Sequence, residues 1–410
     1  MLTKQAAGTS PDETRTTPVL TEMTEKSEAP GRRIEFDYLR AFVVVLVLWH
    51  HAILAYASFS FINPTNPIET FSPVVDMQRW LGFDLLAGFN DTFFMALMFF
   101  ISGLFVWQSL TRKGAGQYLG GRFTRLGIPL IIAVPFLIPL AYYPAQLTVE
   151  LVYGGSTSFV DFWLGMVRSG FGTAGPLWFV WLLLVFDCLV GLLYRFAPDL
   201  GARLQGQAIN MFEYPLPFFA GLLGLSTLAY LPMTLIFGPT EWIGIGPFDA
   251  QASRLFFYLV YFLVGIAVGA YGLDRSLLKA GGSLARRWWV WLAGGLAAYL
   301  VLLFLVIAGT NQPVVNALAF TISCALLVFA ALAIFIRFAR RHVGALDSLA
   351  ANAYGIYIVH YTIVTWLQYW LLDTDLSAIV KATLVFVGTL LLSWGLIAAL
   401  RRIPLVAKVI

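Results

Sequence analysis

The sequence predicts an all-α fold, a polytopic membrane bundle of about ten transmembrane helices with both termini cytoplasmic. Three observations carry this. The 410 residues are 59% hydrophobic and only 12% charged, whereas a soluble domain carries roughly 25% charged residues. The apolar residues come in runs about twenty long, the length that crosses a bilayer. The lysines and arginines gather at every second gap between the runs, as the positive-inside rule requires of cytoplasmic loops.

The elements follow in order. Residues 1–32 open with a stretch rich in Thr, Ser, Pro, Glu and Lys and free of apolar periodicity. Such a segment cannot bury enough surface to order itself, which predicts a disordered cytoplasmic tail. It does not read as a signal peptide, because the first apolar run begins only near residue 39 and no small-residue cleavage site follows. Ten spans are predicted near 39–60, 91–110, 126–147, 176–196, 214–238, 253–272, 287–309, 313–337, 353–372 and 379–400. Runs this long without strict alternation are helices, since lipid leaves backbone groups no other partner. Pro129, Pro135 and Pro139 in span three, and Pro215, Pro217 and Pro232 in span five, predict kinks. Residues 33–402 make the transmembrane domain and 403–410 a cytoplasmic C-terminus.

In this scheme 22 of the 26 basic residues share one side, and Arg79, Arg168, Arg254 and Lys381 lie on the other. Topology therefore accounts for the net charge of +4, and no nucleic-acid partner is implied. The expected partners are the lipid bilayer and whatever the polar residues inside the spans bind. Cys188 and Cys324 both fall within apolar segments, where they read as small packing residues with no disulfide between them.

Three places can carry chemistry. The first is "LRAFVVVLVLWHHAIL", which holds two of the chain's four histidines. Arg40 and His51 are eleven residues apart, about three helical turns or roughly 16 Å. They share a face, with Arg40 at the cytoplasmic mouth and His51 near mid-membrane. His50 is turned away by roughly 100°, and Asp37 lies close to the Arg40 stripe. Ionisable groups at such depth face the bundle interior and mark function more often than packing. The plainer reading is a hydrogen bond to a neighbouring helix. The second place is "ANAYGIYIVHYTIVTWLQYW", where His360 also sits deep and Tyr357, three residues earlier, shares its face. His51 and His360 could meet in one cavity. The third is "TRKGAGQYLGGRFTRLGIP", read as a glycine-rich flexible loop whose Arg and Lys suit phosphate, or simply as topological charge. Asp187 is a candidate partner for an arginine, Ser102 beside Gly103 reads as helix packing, and His342 reads as solvated. Nothing in the spacing predicts a metal site.

Together these motifs resemble the acyltransferase-3 family of integral membrane acyltransferases. "DYLRAFVVVLVLWHH" looks like its first-helix signature, here Asp37, Arg40 and His51. "MALMFFISGLFV" is similar to its second-helix Ser-Gly motif, with Ser102. "GRFTRLGIP" resembles its arginine pair before a proline, Arg122 and Arg125. "PLWFVWLLLVFD" is like its Leu-Trp-Phe segment, and "ANAYGIYIVH" resembles its Tyr-x-x-His motif, Tyr357 and His360. The likeness covers roughly residues 33–400 and is nearest the glucan-modifying subgroup.

The resemblance implies acyl transfer from a cytoplasmic acyl-CoA donor, acetyl-CoA or succinyl-CoA, to a hydroxyl of an extracytoplasmic carbohydrate or glycan. It implies that Arg122 and Arg125 contact the donor's phosphates, and that Arg40 either contacts them too or acts in catalysis by holding the orientation of His51. His51 becomes the candidate general base or, alternatively, a covalent acyl carrier. His360 is expected to stabilise the oxyanion or orient His51, with Asp37, His50, Tyr357 and Ser102 in support. A competing reading is a proton-coupled transporter or acyl-group translocator that uses the histidines as a relay.

Overall fold

Hydrocarbon cannot hydrogen-bond a backbone, and the chain answers with helices. A computed structural model describes residues 33–199, Arg203 and 210–410, and Ile34–Ile410 forms one compact unit. The predicted tail, residues 1–32, lies outside the described residues. The long helices are α1 (Ile34–Leu54), α2 (Leu81–Gly103), α3 (Val106–Arg122), α4 (Ile128–Tyr153), α5 (Phe159–Arg168), α6 (Trp178–Phe196), α7 (Pro215–Phe237), α8 (Leu255–Tyr271), α9 (Trp288–Ile307), α10 (Pro313–Phe338), α11 (Gly344–Trp370) and α12 (Ala378–Leu400). A hairpin of β1 (Trp242–Ile245) and β2 (Phe248–Gln251) joins α7 to α8. Gly246, at φ +56°, opens its two-residue turn with Pro247, a backbone conformation that glycine adopts without steric cost.

Among the described residues nine helical runs are long and apolar enough to cross a membrane, α3 and α4 counting as one. The remaining predicted span, near 353–372, is α11. It has 27 residues, but Asn352, Tyr354, Tyr357, His360 and Gln368 make it too polar to qualify on composition. Its polar positions are mostly buried, so α11 belongs at the centre, where it packs against α1, α4 and α12. α7, α9 and α12 bury little of themselves and form the outside.

Contacts between distant residues sort the helix ends into two faces. On the face where α1 begins, Tyr38 donates to Asp347 at 2.6 Å, and Arg401 donates to the Asn352 side chain at 3.2 Å. On the opposite face, Asp84 accepts from the Ser58 N–H at 2.7 Å. There too Lys381 meets Asp76 at 2.7 Å, both almost wholly buried. The first face carries most of the described arginines and is called the basic face below.

Three expectations change. Span two begins at Leu81, ten residues early, because Asp84 in the first turn suits a helix N-terminus. α1 runs Ile34–Leu54 rather than 39–60, which puts His51 in its last turn and not at its middle. Glu35 and Asp37 favour the early start. The end is set by tight turns, with Ser60 Oγ taking the Leu54 carbonyl at 2.5 Å. The basic "loop" 111–129 is helical: α3, broken only at Gly114 (φ +75°), continues through a π-helical turn, Phe123–Gly127, into α4. Burial of Val106, Trp107, Leu110 and Tyr118 holds it in place.

The prolines of α4 connect it to its neighbours. A proline has no N–H for the carbonyl four residues back. Pro129 frees the Arg125 carbonyl, which accepts from Tyr354 at 2.5 Å. Pro139 frees that of Pro135, which accepts from the Trp163 indole at 2.7 Å. Pro144 frees that of Leu140, which accepts from the Trp366 indole at 2.9 Å. Each orphaned acceptor becomes a cross-link to α5 or α11.

α2 and α8 cross at glycines. A Cβ on Gly103, Gly265 or Gly269 would overlap the carbonyl oxygen of Phe262, Phe100 or Leu104 respectively. Such close approach is how small residues join helices in lipid. Gly269→Val is expected to force the pair apart and abolish the monodisperse peak of the solubilised protein on size exclusion. A normal peak would show that the crossing tolerates separation.

Candidate active site

α11 presents Tyr354, Tyr357, His360 and Tyr361 on one face, at helical spacing. They form the spine of a polar column through the bundle. His360 is fully buried. Its Nδ1 lies 2.6 Å from the Tyr357 carbonyl, which can only accept, so Nδ1 carries the proton. The lone pair therefore resides on Nε2, which has no hydrogen-bond partner among the described residues.

His51 comes from the last turn of α1. Its ring centre is 5.3 Å from that of His360 and 4.9 Å from that of Tyr361. Its Nδ1 likewise has no partner among the described residues. Gln368 fastens this end of α1 to α11 by donating to the His51 carbonyl at 2.8 Å. His50 faces α2 instead, with its ring 5.3 Å from Phe94. It lies in the field of an ion pair between Asp91 and Arg254, 2.6 Å apart. The predicted separation of the two neighbouring histidines is thus realised.

Towards the basic face, Tyr357 donates to the Pro176 carbonyl and Tyr354 to that of Arg125. Arg122 meets the buried Asp187 at 3.1 Å, and Tyr118 donates to the same carboxylate. The Arg122 guanidinium lies over the Tyr118 ring at 5.2 Å. Arg125 is exposed beside it, as are Arg112 and Lys113. The predicted arginine pair is therefore divided, with Arg122 committed to Asp187 and Arg125 open to solvent. Towards the opposite face, the Tyr142 hydroxyl interacts with those of Tyr361 and Thr173, and Thr173 donates to Asp249 at 3.2 Å.

The structure brings together His51, His360 and Tyr357, with His50 at their flank. It does not bring Arg40 to them. Arg40 stays about three turns away, paired with Asp37 at 3.4 Å and lying over Phe105. Ser102 sits at the α2–α8 crossing beside Gly103, which is a packing position. His342 is exposed and pairs with Asp347 at 3.1 Å. Sequence reasoning missed Tyr361, Tyr142, Tyr118 and the Asp91–Arg254 pair. Tyr354, Tyr357 and Tyr361 do carry a legible signal, since spacings of three and four mark one helix face. Among the described residues no cluster could hold a metal ion.

The fold and the site define a multi-pass helical membrane protein with a histidine pair inside a polar column, and sequence comparison assigns its family. The family model described as an acyltransferase domain matches residues 33–398, and the chain belongs to that family, acyltransferase-3. By its apolar helices it is a multi-pass membrane member of that family. Among curated proteins it is similar to glucans biosynthesis protein C of Shigella dysenteriae serotype 1, 26% identical over 246 residues, and to that of Salmonella gallinarum, 24% identical over 243 residues. Each match covers 58% of this chain, and 58% and 59% of the relatives respectively, so the aligned part spans less than two thirds of their length. No solved structure matches the chain.

Proposed function

We propose that the protein transfers an acetyl or succinyl group from acyl-CoA to a hydroxyl of a carbohydrate. The printed name of the relatives points to a glucan acceptor. The donor enters from the basic face, which the positive-inside rule makes cytoplasmic, and the acceptor from the other side of the cell membrane. Both termini are then cytoplasmic, and residues 33–402 are the transmembrane domain. One observation carries this reading: His51 lies against a histidine whose tautomer is fixed, at the middle of a polar column that joins the two faces.

His51 takes the proton of the acceptor hydroxyl as that oxygen attacks the thioester carbonyl. The tetrahedral intermediate collapses, the carbon–sulfur bond breaks, and the imidazolium returns its proton to the departing thiolate. The products are an ester and free CoA. In this reading the His360 lone pair steadies the imidazolium, supported by the closeness of the two rings, and the Tyr357 carbonyl keeps the proton on His360 Nδ1. Arg125, with Arg112 and Lys113, offers the phosphates of CoA exposed cations. Arg122 instead anchors α3 to α6 through Asp187.

The test is the purified protein in liposomes, given acetyl-CoA or succinyl-CoA and a gluco-oligosaccharide. Ester and free CoA are expected in equal amounts. Movement of acyl groups or protons without ester formation would instead favour the transporter or translocator reading. Arg125→Ala should raise the KM for acyl-CoA about tenfold with little change in kcat, as befits one charge-assisted hydrogen bond. An unchanged KM would remove Arg125 from the donor site.

A further inference from the structure

Three aspartates of the transmembrane unit are ion-paired with cations of distant elements, and a fourth held against another element differs from them. Asp76 has Lys381, Asp91 has Arg254 and Asp187 has Arg122. Asp249, on β2, has no cation within ion-pair distance among the described residues. Its Oδ2 accepts from Thr173, and the Ala174 N–H lies close by. Its Oδ1 is buried without a hydrogen-bond partner. Burial pushes the pKa of this carboxyl up. A buried acceptor left unsatisfied is costly, so a group of this kind in a built setting calls for a donor that arrives from outside.

The setting is built. The Asp249 carbonyl accepts from the Trp181 indole at 3.2 Å, and pairing opposite Gly244 fixes the residue in the hairpin. From Thr173 the contacts run through Tyr142 to Tyr361, whose ring touches His51. The loop carrying Thr173 passes so close that a Cβ on Gly175 would sit 3.5 Å from both tyrosine rings. Trp242 on β1 leaves a large part of its ring exposed beside this carboxylate's strand. A carboxylate oxygen and hydroxyls next to an accessible indole match a molecule that is hydroxylated at its edges and apolar on its faces. A sugar ring is such a molecule, since its C–H face can lie on an aromatic ring.

We infer that Asp249, Thr173 and Tyr142 form the acceptor subsite, with Asp249 Oδ1 accepting hydrogen bonds from the hydroxyls of a sugar ring and Trp242 covering its face. The inference rests on the acyl-transfer reading for the identity of the bound sugar as substrate. It adds the residues that select the sugar and a route from them to His51.

Two measurements on the full-length protein test it. In the first, Asp249→Asn raises the KM for a gluco-oligosaccharide acceptor about tenfold, because a neutral amide offers one acceptor oxygen where the carboxylate offers two charged ones. The KM for acyl-CoA, whose cations lie on the basic face, is expected to change far less. The second needs no donor: the oligosaccharide is titrated against intrinsic tryptophan fluorescence. Wild type is expected to show saturable binding, weakened about tenfold in Asp249→Asn. If Asp249→Asn fails to reach the membrane, Thr173→Ala takes its place with the same expectations. Equal sugar affinity in variant and wild type, or no binding to wild type, overturns the subsite. Binding that weakens in the variant while wild type transfers no acyl group upholds the subsite and overturns the transfer reading instead.

Discussion

His360→Gln lowers kcat for acyl transfer by ~10²–10⁴-fold, the range for loss of positioned acid–base chemistry. Glutamine can still fill much of the space but has no ring lone pair to steady a charged His51. The KM for acyl-CoA should stay within about twofold, because the exposed arginines lie elsewhere on the basic face. His51→Ala should cost at least as much. The informative variant carries both changes. Residues that act as one unit lose little more when the second is removed, so the double variant should match the worse single one. Multiplicative losses would mean that the two rings act independently. Full activity in His360→Gln would leave His360 as an interhelical packing residue.

The second large effect concerns stability. Lys381→Met leaves Asp76 buried, charged and without its partner, which typically costs ~3–5 kcal/mol. The thermal midpoint of the solubilised protein should fall accordingly. Asp76→Asn combined with Lys381→Met should recover most of the loss, because a buried ion pair replaced as a whole is often neutral. If the single variant melts like wild type, the pair is hydrated in solution and contributes little. The pair joins the segment after α1 to the start of α12, so its loss would also loosen the opposite face above the histidines.

Much of the fold was legible because lipid imposes so few choices. Run length and charge alternation pointed to ten helical spans, of which nine qualify by length and composition among the described residues, and the family motifs pointed to both histidines. What escaped was mostly pairing. Lys381 and Arg254 read only as basic residues on the sparsely charged side, and the structure gives each a carboxylate. An arginine and an aspartate 163 residues apart leave no local trace of their meeting. The loop 111–129 was misjudged because its glycines suggested flexibility, whereas Tyr118 and Leu110 bury one side of it as a helix. The hairpin leaves a readable mark in "WIGIGPFDAQ", two short runs about a Gly-Pro turn. The tautomer of His360 depends on one backbone carbonyl and could only come from coordinates.

The prolines of α4 have a consequence for how such a sequence can change over time. Restoring an N–H at position 144 would let the backbone reclaim the Leu140 carbonyl and strand the Trp366 indole that now uses it. Removing the indole first would strand the carbonyl. Neither step is neutral alone, and the same holds for Pro139 with Trp163 and for Pro129 with Tyr354. In drifting descendants each proline and its aromatic donor should therefore be kept or exchanged as a couple, so that the helix's breaks and its neighbours' side chains share one inheritance.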